Sequence, residues 1–542
     1  MSNFCLVFAQ KSKYWVQFTD KQGTPFSLNE PEKFLSARAI QRRLRQKISI
    51  QPRDLPVNPQ YVAQLQAITG VKVWYTSKWL NAAMVEAEAT AIPQIQQLAF
   101  VKPDILNLTQ GKPENNTNAS PRELPALPQG EKIPILIETA KDYGFALAQN
   151  AMLGVEKMHQ DGYRGQGMII AVFDSGFQNV HKLACFKHLF CNNQILGTYN
   201  FVENHSNVYA LGDHGTKVLS CIAAYKKGEL IGTAPEASFY LFRTEDEFTE
   251  YKVEEVNWLI AAERADSAGV DVINSSLGYT TFDDASTNYT TKDLNGKTAI
   301  VSQAANIAAR CGMLVVSSAG NEGDSEWQYI ATPADADSII ATAATDKNGQ
   351  RAFFSSKGVP NDSRIKPNLA ALGSGAAVWS SLDYPTISSG TSFSSPILCG
   401  MATAFWQANP TLTNYEVIEW LQKSASQAHK PDKLLGYGIP NYSKAQNLLK
   451  RKNEPLRTGF FLYPNPLSKQ DSLSVYLSKE IQGKDVQITL YNSAGAILFQ
   501  TSLENAPEEY ILNNFHNLQA GIYYLEIETT QSRNVERVLI KE

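Results

Sequence analysis

Four residues of this chain have the types that nucleophilic acyl chemistry needs, each in a local context that suits it. Ser392 lies in Gly390-Thr-Ser-Phe-Ser-Ser-Pro396, at the mouth of a long apolar stretch. A hydroxyl is a poor nucleophile at its own pKa, so a neighbouring imidazole must take its proton. His214 in Asp213-His-Gly-Thr216 supplies one, and Asp174 in Asp174-Ser-Gly176 supplies the carboxylate that would fix its tautomer and stabilise the imidazolium. Asn321 closes Ser318-Ala-Gly-Asn321. An amide there can donate to the oxyanion of a tetrahedral intermediate, worth roughly 3–4 kcal/mol in comparable sites. The Ser392 backbone N–H is the natural second donor.

The surrounding pattern says how such groups would be held. Met168–Phe173 is an uninterrupted apolar run, as in a parallel strand buried on both faces. It delivers Asp174 at its carboxyl end, where open α/β sheets carry their functional groups. His214 and Ser392 open helical stretches read at Thr216–Tyr225 and Phe393–Asn409. The second is apolar nearly all round, so it should run through the core. Pro396 is expected in its first turn, where a missing N–H costs nothing. Ser392 would then sit at the positive end of a buried helix dipole. Met313–Asn321 reads as another buried strand ending in small residues. Strand and helix patterns alternate from Met168 to Ala343, which implies right-handed crossovers and a doubly wound, mostly parallel sheet.

These segments resemble those of subtilisin-like serine proteases, the subtilases. Ala171-Val-Phe-Asp-Ser-Gly176, Asp213-His-Gly-Thr216, Ser318-Ala-Gly-Asn321 and Gly390-Thr-Ser-Phe-Ser-Ser-Pro396 resemble the Asp, His, oxyanion and Ser motifs in that order. Gly232-Thr-Ala-Pro-Glu-Ala237 also matches, as does Val272-Ile-Asn-Ser-Ser-Leu-Gly278, which resembles the strand that pairs with an extended substrate. The resemblance spans roughly residues 145–450. Departures are Lys217, where a second histidine is usual, and Leu372, where a proline is usual. The resemblance implies a triad of Asp174, His214 and Ser392 with Asn321 at the oxyanion. It places substrate along Ser276, Leu277 and Gly278, with Ser318, Ala319 and Gly320 on one wall of the first specificity pocket. No cofactor is assigned; structural calcium is common in the family, without ligands that can be named here.

Length and composition bound the rest. The 542 residues are 43% hydrophobic and 19% charged, ample for a large core and for two to four domains. A net charge of −4 gives no electrostatic case for nucleic acid or an anionic membrane. The basic run Arg38–Arg53 is spaced like the wet face of a helix. Six cysteines do not make a disulfide scaffold at this length. Cys221, Cys311 and Cys399 read as small core residues. The cluster His181, Cys185, His188, Cys191 leaves open zinc, a Cys185–Cys191 disulfide, or neither. No run reaches the roughly 18 apolar residues of a membrane-spanning helix.

Five segments follow. Residues 1–9 look like the remnant of a secretory signal. Residues 10–105 alternate strands (Lys13–Thr19, Val71–Tyr75, Ala82–Ala87) with helices (Ala37–Gln46, Pro59–Ala67) and form an α+β domain similar to subtilase propeptides. Residues 106–134 read as a linker open to maturation cleavage, and 135–452 as the catalytic domain. Within it, Tyr279–Lys297 is a surface insertion whose Asp283, Asp284 and Asp293 read as a solvated loop. Residues 460–542 show short alternating strands with turn signals, a small β-sandwich. Phe460-Phe-Leu-Tyr-Pro-Asn-Pro466, Leu490-Tyr-Asn-Ser-Ala-Gly495 and Ala520-Gly-Ile-Tyr-Tyr524 resemble the C-terminal sorting domain of the type IX secretion system.

The expectation is a secreted or outer-membrane surface-attached serine endopeptidase acting on proteins or peptides, carried out by the type IX machinery. A catalytically silent surface adhesin on the same fold is the alternative, and it predicts binding that survives loss of Ser392. A Gly-x-Ser-x-Gly esterase does not fit, because Ser394 occupies the last glycine and the acid and histidine precede the serine.

Overall fold

The computed structural model describes residues 11–109, 121–360, 362–453, 459–463, 465–469, 472–513 and 515–541. The signal-like segment and Cys5 lie outside them, as does most of 110–120 in the expected linker. The chain divides into two compact units, 1–443 and 444–542.

The first unit begins with four antiparallel strands, β1 (Lys11–Phe18), β2 (Lys72–Ser77), β3 (Ala82–Glu88) and β4 (Val101–Asn107), in the order β2-β3-β1-β4. Helices α1 (Ala37–Arg45) and α2 (Pro59–Gln66) accompany them. Ser36 and Asn58 cap these helices by accepting the N–H groups of Ala39 and Gln60. One face of this sheet buries Val16, Phe18, Val85 and Ile95 in a core of its own, while Trp15, Trp79 and Met84 join the larger core that follows.

That larger core surrounds a seven-stranded sheet. Its strands are β5 (Ile169–Asp174), β6 (Ile195–Asn200), β7 (Ser238–Arg243), β8 (Val272–Ser275), β9 (Leu314–Ser318), β10 (Ile340–Thr345) and β11 (Leu369–Leu372). They run in the order β11-β10-β9-β8-β5-β7-β6, and every pair is parallel. Strand β5 is buried along its whole length, as its unbroken apolar run requires. The chain leaves β5 for β6 and β7 on one side and returns to β8 on the other, so Asp174 ends the strand at which the winding changes sides. Helix α3 (Asp213–Ala223) and helix α6 (Thr391–Ala408) pack on each other, and α6 also packs on β8 to β11. Helices α4 (Val253–Ala268) and α5 (Ile300–Arg310) pack together and form part of the same core.

The N-terminal strands and helices dock on α4 through buried charge. Asp266 of α4 is fully buried and is met by Arg42 at 2.5 Å, Arg43 at 2.9 Å and Lys78 at 3.0 Å. Burial alone would raise its pKa; Lys78, Arg43 and Arg42 outweigh that and hold it well below the usual carboxylate range. Glu263, one turn earlier, accepts from the Ser77 hydroxyl and the Lys78 and Trp79 N–H groups.

The second unit holds two sheets. Phe460–Tyr463, Leu473–Leu477 and Glu509–Leu512 form one of three strands, and Leu467–Ser468, Val486–Tyr491, Ile497–Leu503, Gly521–Glu528 and Arg533–Lys541 one of five. Leu462, Val475, Ile488, Leu525 and Val538 lie in their shared core. Among the described residues no helix is long and apolar enough to cross a membrane. Five cysteines, Cys185 and Cys191 included, are buried free thiols, and no convergent metal-ligand group involves His181, Cys185, His188 or Cys191.

Candidate active site

Three elements converge at one end of the parallel sheet. Asp174 terminates β5 and is fully buried. Its Oδ1 accepts from the Ser175 N–H at 2.8 Å and faces His214 Nδ1 at 2.8 Å, while Oδ2 has no partner among the described residues. His214 stands in the first turn of α3, which starts at Asp213, three residues before the sequence pattern places it. Its side chain is 37% exposed, so the far edge of the ring reaches the cleft. Gly215 makes this approach achievable: a Cβ there would stand 2.0 Å from the Gly176 carbonyl oxygen and 2.9 Å from Asp174 Cβ. Burial lowers the pKa of His214, but the charge of Asp174 and its hydrogen bond outweigh that and the net shift is upward. Lys217 pairs with Asp213 at 2.5 Å and so does not compete for Asp174.

Ser392 is the second residue of α6, 8% exposed. Its hydroxyl donates to the Ser276 carbonyl at 3.3 Å. The helix begins at Thr391, so Pro396 is its sixth residue and lies beyond the first turn, where the sequence placed it. The correction has a chemical consequence. An N–H at position 396 would bond the carbonyl four residues earlier, which is that of Ser392. Proline leaves this carbonyl unclaimed, and the Ser276 hydroxyl donates to it at 2.9 Å. Asn274 Nδ2 in turn donates to Ser276 Oγ at 3.2 Å, and Ser395 Oγ donates to Asn274 Oδ1 at 3.2 Å. The end of β8 and the first turns of α6 are thereby tied by a closed, buried polar network. Asn274 and Ser395 were not assigned a role from sequence. A lone amide inside the apolar run Val272–Ile273 was the available signal.

Asn321 follows β9 and is exposed. Its Oδ1 accepts from the Thr391 N–H at 2.8 Å and the Thr391 hydroxyl at 3.0 Å. With the oxygen so committed, the amide NH2 is left on the open side, near Gly390. In the first turn of α6 the Ser392 N–H has no intrahelical acceptor either.

The expected substrate-contact residues divide. Gly278 is exposed and Leu277 and Gly320 are half-buried, along the cleft side of β8 and β9. Ser276 is buried and occupied with Ser392. Ser318 is buried and donates to the Leu277 carbonyl at 3.3 Å. The Ala319 side chain is fully buried and packs with Ile330, Ala334 and Ala341 rather than facing the cleft. Beyond Gly278, Tyr279 pairs main chain with Thr332. In the insertion, Asp284 and Asp293 cap short turns and Asp283 accepts from the Glu250 N–H.

The loop from β7 to α4 borders the same end of the sheet, since the Thr244 N–H donates to the Asp174 carbonyl at 3.0 Å. It carries Glu245, Glu250 and Glu254, on which the sequence reading was silent. Burial raises Glu245 to about 7 and, with the charge of Glu245, Glu250 to about 8.

Comparison with known proteins agrees with this geometry. Residues 165–438 match the subtilase family, 13–122 the peptidase S8 propeptide domain of Bacteroidota, and 461–541 the secretion system C-terminal sorting domain. Subtilisin E of Bacillus subtilis (strain 168) is 29% identical over 342 residues, covering 60% of this chain and 81% of that protein. Subtilisin of Bacillus pumilus is 30% identical over 290 residues, 52% and 93% respectively. An alkaline protease of Alkalihalobacillus alcalophilus is 27% identical over 353 residues, 64% and 82%. The sorting domain marks the chain for type IX secretion and cell-surface attachment, and a protease implies protein substrates. The chain belongs to the subtilase family and is a secreted serine endopeptidase with a propeptide domain before its catalytic domain and a sorting domain after it.

Proposed function

We propose that Asp174, His214 and Ser392 form the catalytic triad and that peptide hydrolysis proceeds through an acyl-enzyme on Ser392. The observation that carries this reading is the 2.8 Å contact between His214 Nδ1 and buried Asp174 Oδ1. It orients the imidazole with its other nitrogen toward the cleft, in the tautomer a general base needs. The Ser392 hydroxyl turns from the Ser276 carbonyl to His214 Nε2 when substrate arrives, a tightening common in unliganded sites. Oγ then attacks the peptide carbonyl as His214 takes its proton. The resulting oxyanion receives the Asn321 amide and the Ser392 N–H. His214 returns the proton to the leaving amine, and water repeats the sequence on the ester to release the acid.

Substrate lies extended along Leu277 and Gly278 as an added strand, its main chain giving affinity with little side-chain selection. Residues 10–105 act as folding template and inhibitor, with the maturation cut in 106–134. The test is rapid mixing with an activated peptide ester. A burst of leaving group equal to one per chain, absent in Ser392→Ala, is expected. Steady hydrolysis without a burst that persists in Ser392→Ala would overturn the assignment.

A further inference from the structure

Proteolysis makes no use of the three glutamates that the loop between β7 and α4 turns inward. Glu245 is buried, Glu254 is 1% exposed and Glu250 is half-buried. One oxygen from each carboxylate lies within 4.8 Å of the other two. The two basic groups nearest in sequence are engaged elsewhere: Arg243 donates to the Ser175 carbonyl and to Glu203, and Lys252 pairs with Glu255 at 3.0 Å.

Convergence alone would be unremarkable; an unsatisfied oxygen makes it a site. Glu254 spends Oε1 on the Asp246 N–H at 3.2 Å, and its Oε2 is buried with no hydrogen-bond partner among the described residues. A buried acceptor without a donor is costly, and a buried anion more so. Three carboxylates in so small a space also repel one another strongly where water is scarce. A divalent cation answers both problems at once. All the donors are hard oxygens with no imidazole or thiolate among them, the set that suits calcium and disfavours zinc. Half-buried Glu250 leaves a way in from solvent.

We propose that Glu245, Glu250 and Glu254 bind a calcium ion. The ion would pin the loop to its surroundings at two points. Glu245 accepts from the Tyr279 hydroxyl, and Tyr279 directly follows Gly278. Glu250 exchanges two hydrogen bonds with Asp283, from Asp283 N–H to its carbonyl at 2.9 Å and from its own N–H to Asp283 Oδ2 at 3.2 Å. Calcium therefore holds together the loop beyond Asp174 and the segment that continues the substrate edge. The assignment stands on these carboxylates and is independent of which residue is the nucleophile.

The test uses the full chain with Ser392→Ala, which prevents self-cleavage, stripped with a chelator and titrated with calcium chloride by calorimetry. Glu254→Gln and Glu250→Gln are compared with it, each checked for folding by near-ultraviolet circular dichroism. Glu250 is the milder change, so it decides if the Glu254 variant fails to fold. Each variant should bind one calcium fewer per chain than the parent. The parent's unfolding temperature should rise with calcium, the folded state gaining about 100-fold at a concentration 100 times Kd, and that part of the rise should vanish in the variants. Without calcium the variants should unfold no earlier than the parent, because a repelling charge is gone. A parent that binds no calcium, or folded variants that bind as many ions as tightly, would overturn the proposal and leave a proton shared between Glu254 and Glu245 as the explanation.

Discussion

Replacing Gly215 by alanine tests the geometric core of the account without removing any reacting group. The new Cβ would stand 2.0 Å from the Gly176 oxygen and 2.9 Å from Asp174 Cβ. Neither neighbour is a flexible side-chain tip: one is backbone, the other the root of a fully buried aspartate. To restore ordinary contact the first turn of α3 must move away from the end of β5 by about 1 Å. His214 is the preceding residue, so its 2.8 Å contact with Asp174 lengthens with that movement. A misplacement of about 1 Å in a catalytic constellation costs roughly 10²-fold in rate. We expect kcat on a chromogenic peptide to fall by about that factor with KM little changed, because the substrate edge at Leu277 and Gly278 lies on another strand. Circular dichroism must show a folded protein for the comparison to count. A folded Gly215→Ala enzyme within about threefold of wild-type kcat would refute the claim that this close approach sets the His214–Asp174 geometry.

Other consequences are equally direct. The upward shift of His214 means the acid limb of kcat/KM should have its midpoint above the ordinary 6.5, since the neutral imidazole is the base. Asp174→Asn should move that midpoint down and cut kcat by about 10⁴-fold, the loss known when a triad carboxylate becomes an amide. An unmoved midpoint would count against the pairing. Asn321→Ala should lower kcat by about 10²–10³-fold with little effect on KM, a range taken from subtilisin itself rather than from these distances. Thr391→Val acts only through the Asn321 amide and should cost about fivefold in kcat, the worth of one hydrogen bond. Asp266→Asn leaves Arg42 and Arg43 buried without their anion and should destabilise the precursor by about 3–5 kcal/mol in urea unfolding. Because the folded pKa of Asp266 is depressed, its contribution is present above the ordinary 3.8 and lost as pH falls below it. The Asn variant should therefore flatten the acid end of the stability profile, and an unchanged profile would remove Asp266 from its cause.

Much of this was legible in the chain because each reacting residue ends or begins a strongly periodic element. Ile169–Asp174 and Leu314–Ser318 are buried on both faces, and an unbroken apolar run is a strong signal. Helix starts were read late for a local reason: Gly215 and the polar run Thr391–Ser395 look like turn residues, yet they are the first turns of α3 and α6. Strand Val101–Asn107 escaped notice because Pro103 and its charged neighbours break the pattern. It pairs only with β1, an edge position where proline is tolerated. The Ser276 hydroxyl as donor to the Ser392 carbonyl was not legible, since the need for it arises from Pro396 four residues along a different element. Nor were Glu245, Glu250 and Glu254, whose inward turn depends on how a loop folds rather than on spacing.

The most direct test of the central claim is labelling of the mature enzyme with a fluorophosphonate, followed by mass mapping of the modified peptide. The account predicts a single adduct on Ser392, slowed by His214→Ala, absent in Ser392→Ala, and lost together with casein cleavage. A folded, propeptide-free enzyme that takes no adduct, or one that is labelled elsewhere and still cleaves casein after Ser392→Ala, would contradict it.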